Sequence, residues 1–587
     1  MKRVTYKAKL LPLTVDGRIF SWLHRLRGYK RLKCKHDNEI SINQLNHFSW
    51  LQWVTTMFIE HRVIGPPGCG KTTWLSGQVW KAVDKHGPDC VLIASLTRAA
   101  AAEVVGRNLP ISRDCVGTLH SHAFRSIGNP KMAQSREMLT LWNSEHPTLA
   151  LSGGLDLDDG MDALPTLGEG DALMLDYSSL RARMVKDRKT WSIKVRAFAT
   201  QWEDFKNQTG TIDFTDMIEH ALLSTTCAPG NPQFIFCDEA QDLDRMQLAL
   251  VRRWANGGDV ARLIIVGDPD QNLYEWRGTD ATSFFEGEIP PENNMVLSQS
   301  YRVPTAVHAL ACKWIRRARS HRDAPYLPRD YPGTVRRLDC PQSYPGAMLK
   351  SLEANLAAGK TCMILSACGY MIVPILKILA AEGIPFHNPY RVKRSDWNPL
   401  SHTDRVLSYL STDKEICGED ARMWTWDELH RWSTVVRADG IFTRGAKARI
   451  KEMATNRATA KGVVDTAGLF EGDGDNVEVD SLEWLKKNLL PTAPKSIAYI
   501  CQVGIKHGKA RISQKPKVII GTIHSVKGGE ADVVYLFPNI SRSAFEQWEA
   551  VGSKGYDAIV RQFYVAVTRA REELVICTQW DPLAVSL

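Results

Sequence analysis

The chain has 587 residues, of which 44% are hydrophobic and 24% charged, the proportions of an ordinary folded protein, and it is too long for a single hydrophobic core. It contains no run of about 18 apolar residues, so we expect no membrane-spanning helix. The 13 cysteines form no C-x-x-C pair. Scattered cysteines in odd number predict reduced thiols and a cytoplasmic protein, and they exclude a disulfide framework or a zinc site.

The net charge of +9 is concentrated at the N-terminus. Residues 1–36 alone carry +10, so the remainder of the chain is close to neutral at −1. Any nucleic-acid site in the remainder must therefore be a local groove and not a generally basic surface. We treat residues 1–56 as a basic N-terminal extension. Two interpretations stay open: the extension is an arm that binds nucleic-acid phosphates, or it is a poorly ordered segment with no role.

A glycine-rich loop follows this extension. Its sequence is Gly65-Pro66-Pro67-Gly68-Cys69-Gly70-Lys71-Thr72, which fits the phosphate-binding pattern G-x-x-x-x-G-K-[ST]. The glycines allow backbone N–H groups to point at phosphate oxygens, Lys71 reaches the β- and γ-phosphates, and the Thr72 hydroxyl is a ligand for Mg²⁺. An apolar strand pattern precedes the loop, and a helical pattern begins at Thr73, where a helix N-terminus favours an anion. The loop predicts a nucleoside triphosphate site.

Apolar runs recur along the chain, and each ends in polar residues. They lie at positions 91–94, 234–237, 263–266 and 518–520. Because these runs are apolar on both faces and alternate with helical patterns, they predict parallel strands covered by helices on both sides, which is the α/β class. Ligands then gather at the carboxyl ends of the strands.

An acidic segment, Asp238-Glu239-Ala240-Gln241-Asp242, follows one of these predicted strands. Asp238 is placed to hold Mg²⁺, as phosphate-loop enzymes require. Glu239 is placed to orient and deprotonate the attacking water. The alternative is a solvated acidic turn, which the upstream phosphate loop and the preceding apolar run both disfavour.

A third segment runs from Gly267 to Gly278 and combines polar and aromatic residues. Gln271 offers an amide to a γ-phosphate. Tyr274 and Trp276 offer flat faces on which bases stack, at roughly 1–3 kcal/mol per base. The charged neighbour Arg277 disfavours a purely core role for Trp276.

With these segments in place, the chain resembles the UvrD/Rep-type superfamily 1 DNA helicases, which are motors with two RecA-like lobes. Further segments are similar to that family's motifs and follow its order along the chain: 95–103, 117–121, 212–217, 299–302, 521–530 and 564–570. Two positions depart from the family pattern, because Leu96 and Leu119 stand where the family usually has aromatic residues that stack on bases.

The resemblance implies roles for individual residues. At the nucleotide, Tyr301 stacks on adenine, Arg302 and Arg569 meet the γ-phosphate, and Glu530 contacts the ribose. Gln52 is the better candidate for reading adenine, and Gln44 the weaker. The residues that the resemblance and the aromatic segment together assign to DNA contacts are Thr97, Arg98, Thr118, His120, Tyr274, Trp276, Arg277, Thr522 and His524.

The same resemblance implies the domain organisation. The expected fold is α/β with two RecA-like lobes, each carrying a mainly helical insertion. The expected boundaries are 57–121 and 209–298 for lobe 1, 122–208 for the first insertion, 299–396 and 511–587 for lobe 2, and 397–510 for the second insertion.

The predicted function is that of an ATP-dependent DNA helicase or single-strand translocase that uses Mg²⁺ and moves 3′ to 5′. We expect a monomer, in the cytoplasm or at the nucleoid, that binds single-stranded DNA and single/double-strand junctions. One alternative is a DNA-stimulated ATPase that switches a repair, replication or defence complex without processive unwinding. An RNA helicase of the same superfamily is another. A phosphate-loop kinase would explain Lys71 and Asp238 but not the segments around Arg302 and Arg569.

Overall fold

The computed structural model describes residues 59–95, 109–153, 168–391, 394–474, 477–577 and 583–587, all within one unit, Phe58–Leu587. Gln52, Thr97 and Arg98 lie outside the described residues, as do Leu96 and the extension 1–56. Within the described ranges, no helix combines the length and the apolar character needed to cross a membrane.

The first sheet is parallel throughout. Its strands are β1 (Ile59–Ile64), β2 (Val91–Ser95), β3 (Val116–Thr118), β4 (Phe234–Cys237), β5 (Arg262–Gly267) and β6 (Asn294–Val296). They lie in the order β3-β2-β4-β5-β1-β6. The register places Ile64 opposite Gly267, and Cys237 opposite Ile265. The loops that follow β1, β4 and β5 therefore leave the sheet at one edge, where ligands bind in open parallel sheets.

Helices cover both faces of this sheet. The helices of this half are α1 (Lys71–His86), α2 (Leu119–Ser126), α3 (Arg136–Glu145), α4 (Glu169–Ala182), α5 (Ile193–Thr209), α6 (Phe214–Ser224) and α7 (Arg245–Gly257). Within β2, Ile93 packs in the core that includes Leu75 of α1, whereas Leu92 packs on the opposite face with Leu250 of α7. This alternation explains why the strand is apolar at every position.

The first insertion has a hydrophobic core of its own. Trp142, Tyr177 and Trp202, from α3, α4 and α5, are buried together, apart from the cores of the sheet. Buried ion pairs attach this helical unit to α6, since Lys206 Nζ donates to Oδ2 of Asp213 (2.7 Å) and of Asp216 (2.5 Å).

The second sheet is also parallel and has six strands. Its strands are β9 (Thr334–Leu338), β10 (Cys362–Ser366), β11 (Phe386–His387), β12 (Val518–Thr522), β13 (Ala531–Leu536) and β14 (Ala570–Cys577), in the order β11-β12-β10-β13-β14-β9. A short pair, β7 (Gln299–Pro304) and β8 (Leu327–Arg329), precedes it in the chain.

Helices cover both faces of the second sheet, and further helices belong to the second insertion. They are α8 (Thr305–Ile315), α9 (Leu349–Ala357), α10 (Val373–Ala381), α11 (Thr403–Tyr409), α12 (Lys414–Cys417), α13 (Trp426–Ser433), α14 (Ala446–Thr455), α15 (Leu482–Lys487), α16 (Lys495–His507), α17 (Arg542–Glu549) and α18 (Lys554–Val567). Trp424 and Trp432 of the second insertion share one continuous core with Ile364 and Ile520 of the sheet. The predicted α/β fold with two RecA-like lobes is confirmed.

Candidate nucleotide and DNA site

The phosphate-binding loop connects β1 to α1, as its sequence predicts. Lys71 Nζ donates to the Gly65 carbonyl at 2.8 Å, which holds the ammonium inside the loop. Gly68 and Gly70 have φ angles of 77° and 74°, in the left-handed region that favours glycine. A Cβ at Gly68 would lie 2.6 Å from Cβ of Arg302, so lobe 2 approaches the loop too closely for any side chain there.

The remaining residues of the loop divide into buried and accessible ones. Pro66, Pro67 and Cys69 are buried, and burial raises the pKa of the Cys69 thiol to about 12, so this cysteine stays neutral. The Pro67 carbonyl accepts hydrogen bonds from the hydroxyls of Ser300 (2.9 Å) and Tyr326 (3.0 Å), both in lobe 2. Thr73 is exposed on the first turn of α1.

Two oxygen ligands suited to Mg²⁺ lie together beside this loop. The Thr72 hydroxyl lies 3.4 Å from Oδ2 of Asp238, which follows β4. Hydroxyl and carboxylate oxygens are the ligands that Mg²⁺ accepts, with water and phosphate oxygens completing its shell. The side chains present therefore fit the ion that the sequence predicts.

Glu239 is held in an unusual backbone conformation next to these ligands. Its φ is 50°, which is uncommon for a residue with a side chain and is often found at functional sites. Gln241 Nε2 donates to its carboxylate. Burial alone would raise the pKa of Glu239, but the Lys71 and Lys527 cations lower it to about 2. The group is therefore a carboxylate at neutral pH.

Gln271 lies between the two lobes. Its Nε2 donates to Oδ2 of Asp268 at 2.6 Å, and its Oε1 accepts from Nη2 of Arg569 at 3.0 Å. Burial, followed by the charge of Asp270, raises the pKa of Asp268 to about 7. The residue predicted to face the γ-phosphate is thus joined directly to the predicted arginine finger of lobe 2.

Arg569 is buried, with 1% of its surface exposed. Its Nε donates to the Val565 carbonyl (2.9 Å) and its Nη1 to the Gly529 carbonyl (3.1 Å). Burial, and then the nearby Arg302 cation, lower the pKa of Arg569 to about 9, so it remains charged at neutral pH. These contacts hold a cation against the nucleotide edge of lobe 1.

Strand β7 brings the other predicted nucleotide residues to the loop. The Tyr301 N–H donates to the Gly68 carbonyl (2.8 Å), and 72% of the Tyr301 surface is exposed. Arg302 Nε donates to Oε2 of Glu530 at 2.7 Å. The exposed ring leaves Tyr301 able to stack on a base, and the ion pair brings Arg302 and Glu530 together as the resemblance implies.

Lys527 is a site residue that the sequence interpretation did not assign. Its Nζ donates to Oδ1 of Asp242 (2.7 Å) and to the Gln271 carbonyl (2.9 Å), across the boundary between the lobes. Lys527 lies in the motif segment 521–530, and Asp242 lies in the acidic segment 238–242. The sequence signal for this ion pair was a lysine and a carboxylate that had no assigned role in these two segments. Burial raises the pKa of Asp242 to about 6, and Lys527 opposes this shift.

A cavity of about 250 Å³ lies between the first insertion and lobe 1, and several predicted DNA contacts line it. His120 and Arg277 face this cavity, and burial, with the Arg277 cation, lowers the pKa of His120 to about 4. Phe214, also unassigned from sequence, is 51% exposed and stands edge-on to His120 at 6.1 Å. Thr118 lies beside the cavity, where its hydroxyl caps α2 by accepting from the Ser121 N–H.

The two predicted aromatic platforms, Tyr274 and Trp276, differ in exposure. Tyr274 is only 3% exposed and belongs to a core cluster made mostly of lobe 2 residues, with Lys527 Nζ 5.4 Å from its ring centre. Tyr274 also lines the cavity, and its role as a stacking platform stays a prediction. Trp276 is half-buried against the same core, with the Arg277 guanidinium 6.0 Å from its ring centre. It remains a candidate platform.

Two predicted DNA contacts in lobe 2 are buried. The Thr522 side chain is fully enclosed, and its hydroxyl accepts from the Ser525 N–H (3.2 Å) to close a turn. His524 packs against Tyr274, and burial lowers its pKa to about 4. Both side chains are enclosed in this structure, and their contacts with DNA stay predictions. Leu119 is likewise a core residue.

The chain has two parallel sheets, and the phosphate-binding loop follows a strand of the first. Arg302 lies beside this loop and Arg569 contacts Gln271, so the second half completes the site. This arrangement defines the class with two RecA-like lobes. Comparison with known proteins gives the family. Residues 51–288 match the UvrD/REP helicase N-terminal domain, and residues 490–580 match the UvrD-like helicase C-terminal domain. Together the two matches cover more than half of the chain, which belongs to the UvrD/Rep-type superfamily 1 helicases.

Individual relatives match over shorter stretches. The chain is 25% identical over 264 residues to DNA helicase II of Salmonella typhimurium, which covers 41% of this chain and 36% of that protein. It is 42% identical over 106 residues to the ATP-dependent DNA helicase PcrA of Bacillus subtilis, which covers 16% of this chain and 14% of that protein. The chain thus spans about a third or less of the length of these relatives.

Proposed function

We propose that the chain is an ATP-dependent DNA helicase or single-strand DNA translocase that moves 3′ to 5′. One observation supports this most strongly: Arg569 of lobe 2 donates to Gln271 of lobe 1 beside the phosphate-binding loop. Arginine fingers stabilise the charge of a transferring phosphoryl group and contribute about 10³–10⁵ in rate. A site divided in this way links hydrolysis to the relative position of the lobes. The direction of movement is taken from the family resemblance.

In this proposal lobe 1 binds the nucleotide. Lys71 and the N–H groups of the loop hold the phosphates, and Tyr301 stacks on the base. Thr72 and Asp238 hold Mg²⁺, which, when bound, neutralises charge on the phosphate oxygens. Apart from Tyr301, which lies in lobe 2, these residues need no movement of lobe 2 to bind ATP.

Glu239 orients the attacking water. At a pKa of about 2 its carboxylate accepts a hydrogen bond but is a weak base. Lys71 is the largest of the charges that lower this pKa. Because phosphate anions offset the Lys71 charge, bound ATP would raise the Glu239 pKa towards the range in which it accepts a proton.

DNA binds next to the same catalytic residues. His120, Phe214 and Arg277 lie around the cavity between the first insertion and lobe 1, and Asp242, the partner of Lys527, lines that cavity too. Trp276 packs on the core of lobe 2. A strand bound here would contact residues whose positions depend on both lobes, and this couples DNA binding to the nucleotide.

A second function is supported by the small amount of exposed aromatic surface at the predicted DNA site. Leu119 is not aromatic and Tyr274 is buried, whereas Trp276 and Phe214 are more accessible. Fewer stacking platforms lower the affinity for single-stranded DNA. This favours, as the alternative, a DNA-stimulated ATPase that switches a complex without processive unwinding.

Strand displacement distinguishes the two functions. Duplexes with a 3′ tail, a 5′ tail or no tail are incubated with ATP and Mg²⁺, with Glu239→Gln as the inactive control. We expect displacement of the 3′-tailed duplex alone. ATPase stimulated by DNA without displacement of any duplex would support the switch, and equal stimulation by RNA of the same sequence would contradict a DNA-specific motor.

A further inference from the structure

The loop between α8 and β8, residues 316–326, belongs to lobe 2 but contacts lobe 1, and we call it the interlobe loop. Nδ1 of its His321 lies 2.7 Å from Oδ2 of Asp270. The guanidinium of its Arg322 lies 4.1 Å from the ring centre of Phe285. Its last residue donates to the phosphate-binding loop, as described above. The interlobe loop therefore reaches lobe 1 at separate points around the nucleotide site.

The same loop is fixed to the helix that leads to the arginine finger. The Asp557 carboxylate, on α18, accepts from the backbone N–H groups of Arg319 and Ser320, each at 3.0 Å. Arg569 is the second residue after the end of α18. The interlobe loop thus bridges the element that carries Arg569 and the turn of lobe 1 that carries Gln271.

Within that turn, Asp270 and Gln271 are held by one carboxylate. Asp268 Oδ1 accepts from the Asp270 N–H (3.1 Å), and its Oδ2 accepts from Nε2 of Gln271 (2.6 Å). A displacement of Asp270 is therefore transmitted to the amide of Gln271, which in turn meets Arg569.

We propose that His321 is a positioning residue for ATP hydrolysis, an inference that rests on the proposed function: by holding Asp270, it places Gln271 against Arg569. Both side chains of the pair are largely buried, with 15% of each exposed. Solvent therefore screens the contact less than it would an exposed ion pair. His321 touches neither the nucleotide loop nor Gln271 in the structure, so its effect passes through Asp270.

The charge of His321 makes the contact sensitive to pH. The hydrogen bond with Asp270 raises the pKa of His321 above 6.5, and burial opposes this. The charged contact is complete below pH 6.5 and is lost as the pH rises through the raised value. The neutral ring still donates one N–H, so a weaker contact remains. The charged or titratable groups that line a cavity with His321 come from the turn, the loop, α8 and α18: Asp268, Asp270, His308, Cys312, Lys313, Arg316, Arg322, Asp323, Tyr326 and Tyr564.

The test compares variants of the full chain at saturating single-stranded DNA. We expect His321→Ala to lower kcat about ten-fold, with the KM for ATP nearly unchanged, because a hydrogen bond to a charged group is lost away from the nucleotide. His321→Gln keeps an N–H donor and should recover part of kcat while losing the pH dependence that begins above about pH 6.5. Lys554→Ala, which removes an exposed ion pair to Asp280 across the same boundary, is the matched control and should behave as the wild type.

A second comparison tests the path through Asp270. Losses in kcat from His321→Ala and Asp270→Asn should not add in the double variant, because both remove one contact. If His321→Ala had the same kcat and the same pH profile as the wild type, the inference would be overturned. Equal loss of every activity together with a lower melting temperature would also overturn it, since that marks a merely structural residue. An inactive wild-type chain would instead refute the proposed function, and this inference with it.

Discussion

The two lobes contribute to the candidate site in different ways. Lobe 1 supplies a continuous set of groups at one sheet edge, because the loops after β1, β4 and β5 all leave the sheet there. Lobe 2 supplies separate cations, Arg302, Lys527 and Arg569, from three distant parts of the chain. Two of these three make hydrogen bonds to lobe 1 in the structure.

This difference separates binding from chemistry. The groups of lobe 1 can hold a nucleotide wherever lobe 2 stands, since loop, strand and helix fix them locally. The cations of lobe 2 act only when the boundary between the lobes is formed, because Arg569 is held by contacts on both sides of it. Variants of lobe 1 should therefore affect binding or chemistry according to the residue, and variants of the finger Arg569 in lobe 2 should affect chemistry alone.

Loss of Lys71 should have the largest effect. In Lys71→Ala the phosphates lose their point charge, and we expect hydrolysis to fall by at least about 100-fold. Single-stranded DNA binding, measured by fluorescence anisotropy, should survive because the cavity that His120 and Arg277 line is separate from the loop. Lys81→Ala, an exposed lysine on the same helix, is the control. Hydrolysis above about a tenth of the wild-type rate would reject the assignment.

Glu239→Gln should separate nucleotide binding from hydrolysis within lobe 1. The amide keeps the shape of the side chain but cannot accept a proton, so turnover should fall about 10²–10⁴-fold while nucleotide affinity stays normal. Affinity is measured with a fluorescent nucleotide, and turnover by phosphate release. Glu288→Gln, an exposed glutamate, should change neither. Weak nucleotide binding in Glu239→Gln would give this residue a structural role.

Trp276→Ala should have a smaller effect, which should appear in the affinity for single-stranded DNA. Loss of a base platform costs roughly 1–3 kcal/mol of single-strand affinity. Unwinding should fall further than ATPase at saturating DNA, because each step requires a base to be released and recaptured. The half-exposed Trp80 offers a control, Trp80→Ala, that should leave DNA affinity unchanged.

Thermal melting decides how Trp276→Ala is interpreted. If Trp276 acts only by packing on lobe 2, its removal leaves a cavity that costs about 3–5 kcal/mol in stability. A large drop in Tm, with all activities lost together, would then show that Trp276 is a structural residue and not a stacking platform. An unchanged Tm with lost unwinding would support the platform.

Much of lobe 1 could be predicted because its signals are local. The phosphate-binding loop and the pair Asp238 and Glu239 each follow an apolar strand, so a few adjacent residues determine both conformation and chemistry. The apolar runs likewise predicted parallel strands covered on both faces, since such burial favours apolar residues along the strand. The division into two lobes was implied only by the family resemblance.

The boundary between the lobes could not be predicted in the same way. Lys527 and its partner Asp242 lie 285 residues apart, and no local pattern pairs them. The burial of Tyr274 and Thr522 also depends on how lobe 2 packs, so their low exposure could not be predicted from the local sequence. Residues 1–56 and the pair Thr97 and Arg98 lie outside the described residues, so their roles stay predictions.

The most direct test of a divided site is Arg569→Ala, with ADP affinity and ATP turnover measured on the same preparation. Arg542→Ala is the control, because this arginine of lobe 2 is exposed and pairs with the exposed Glu546. We predict unchanged ADP affinity and turnover lower by about 10³–10⁵-fold in Arg569→Ala, with both values near wild type in the control. Turnover above about a tenth of the wild-type rate, or ADP affinity lost in proportion to turnover, would contradict a site in which lobe 1 binds and lobe 2 completes the chemistry.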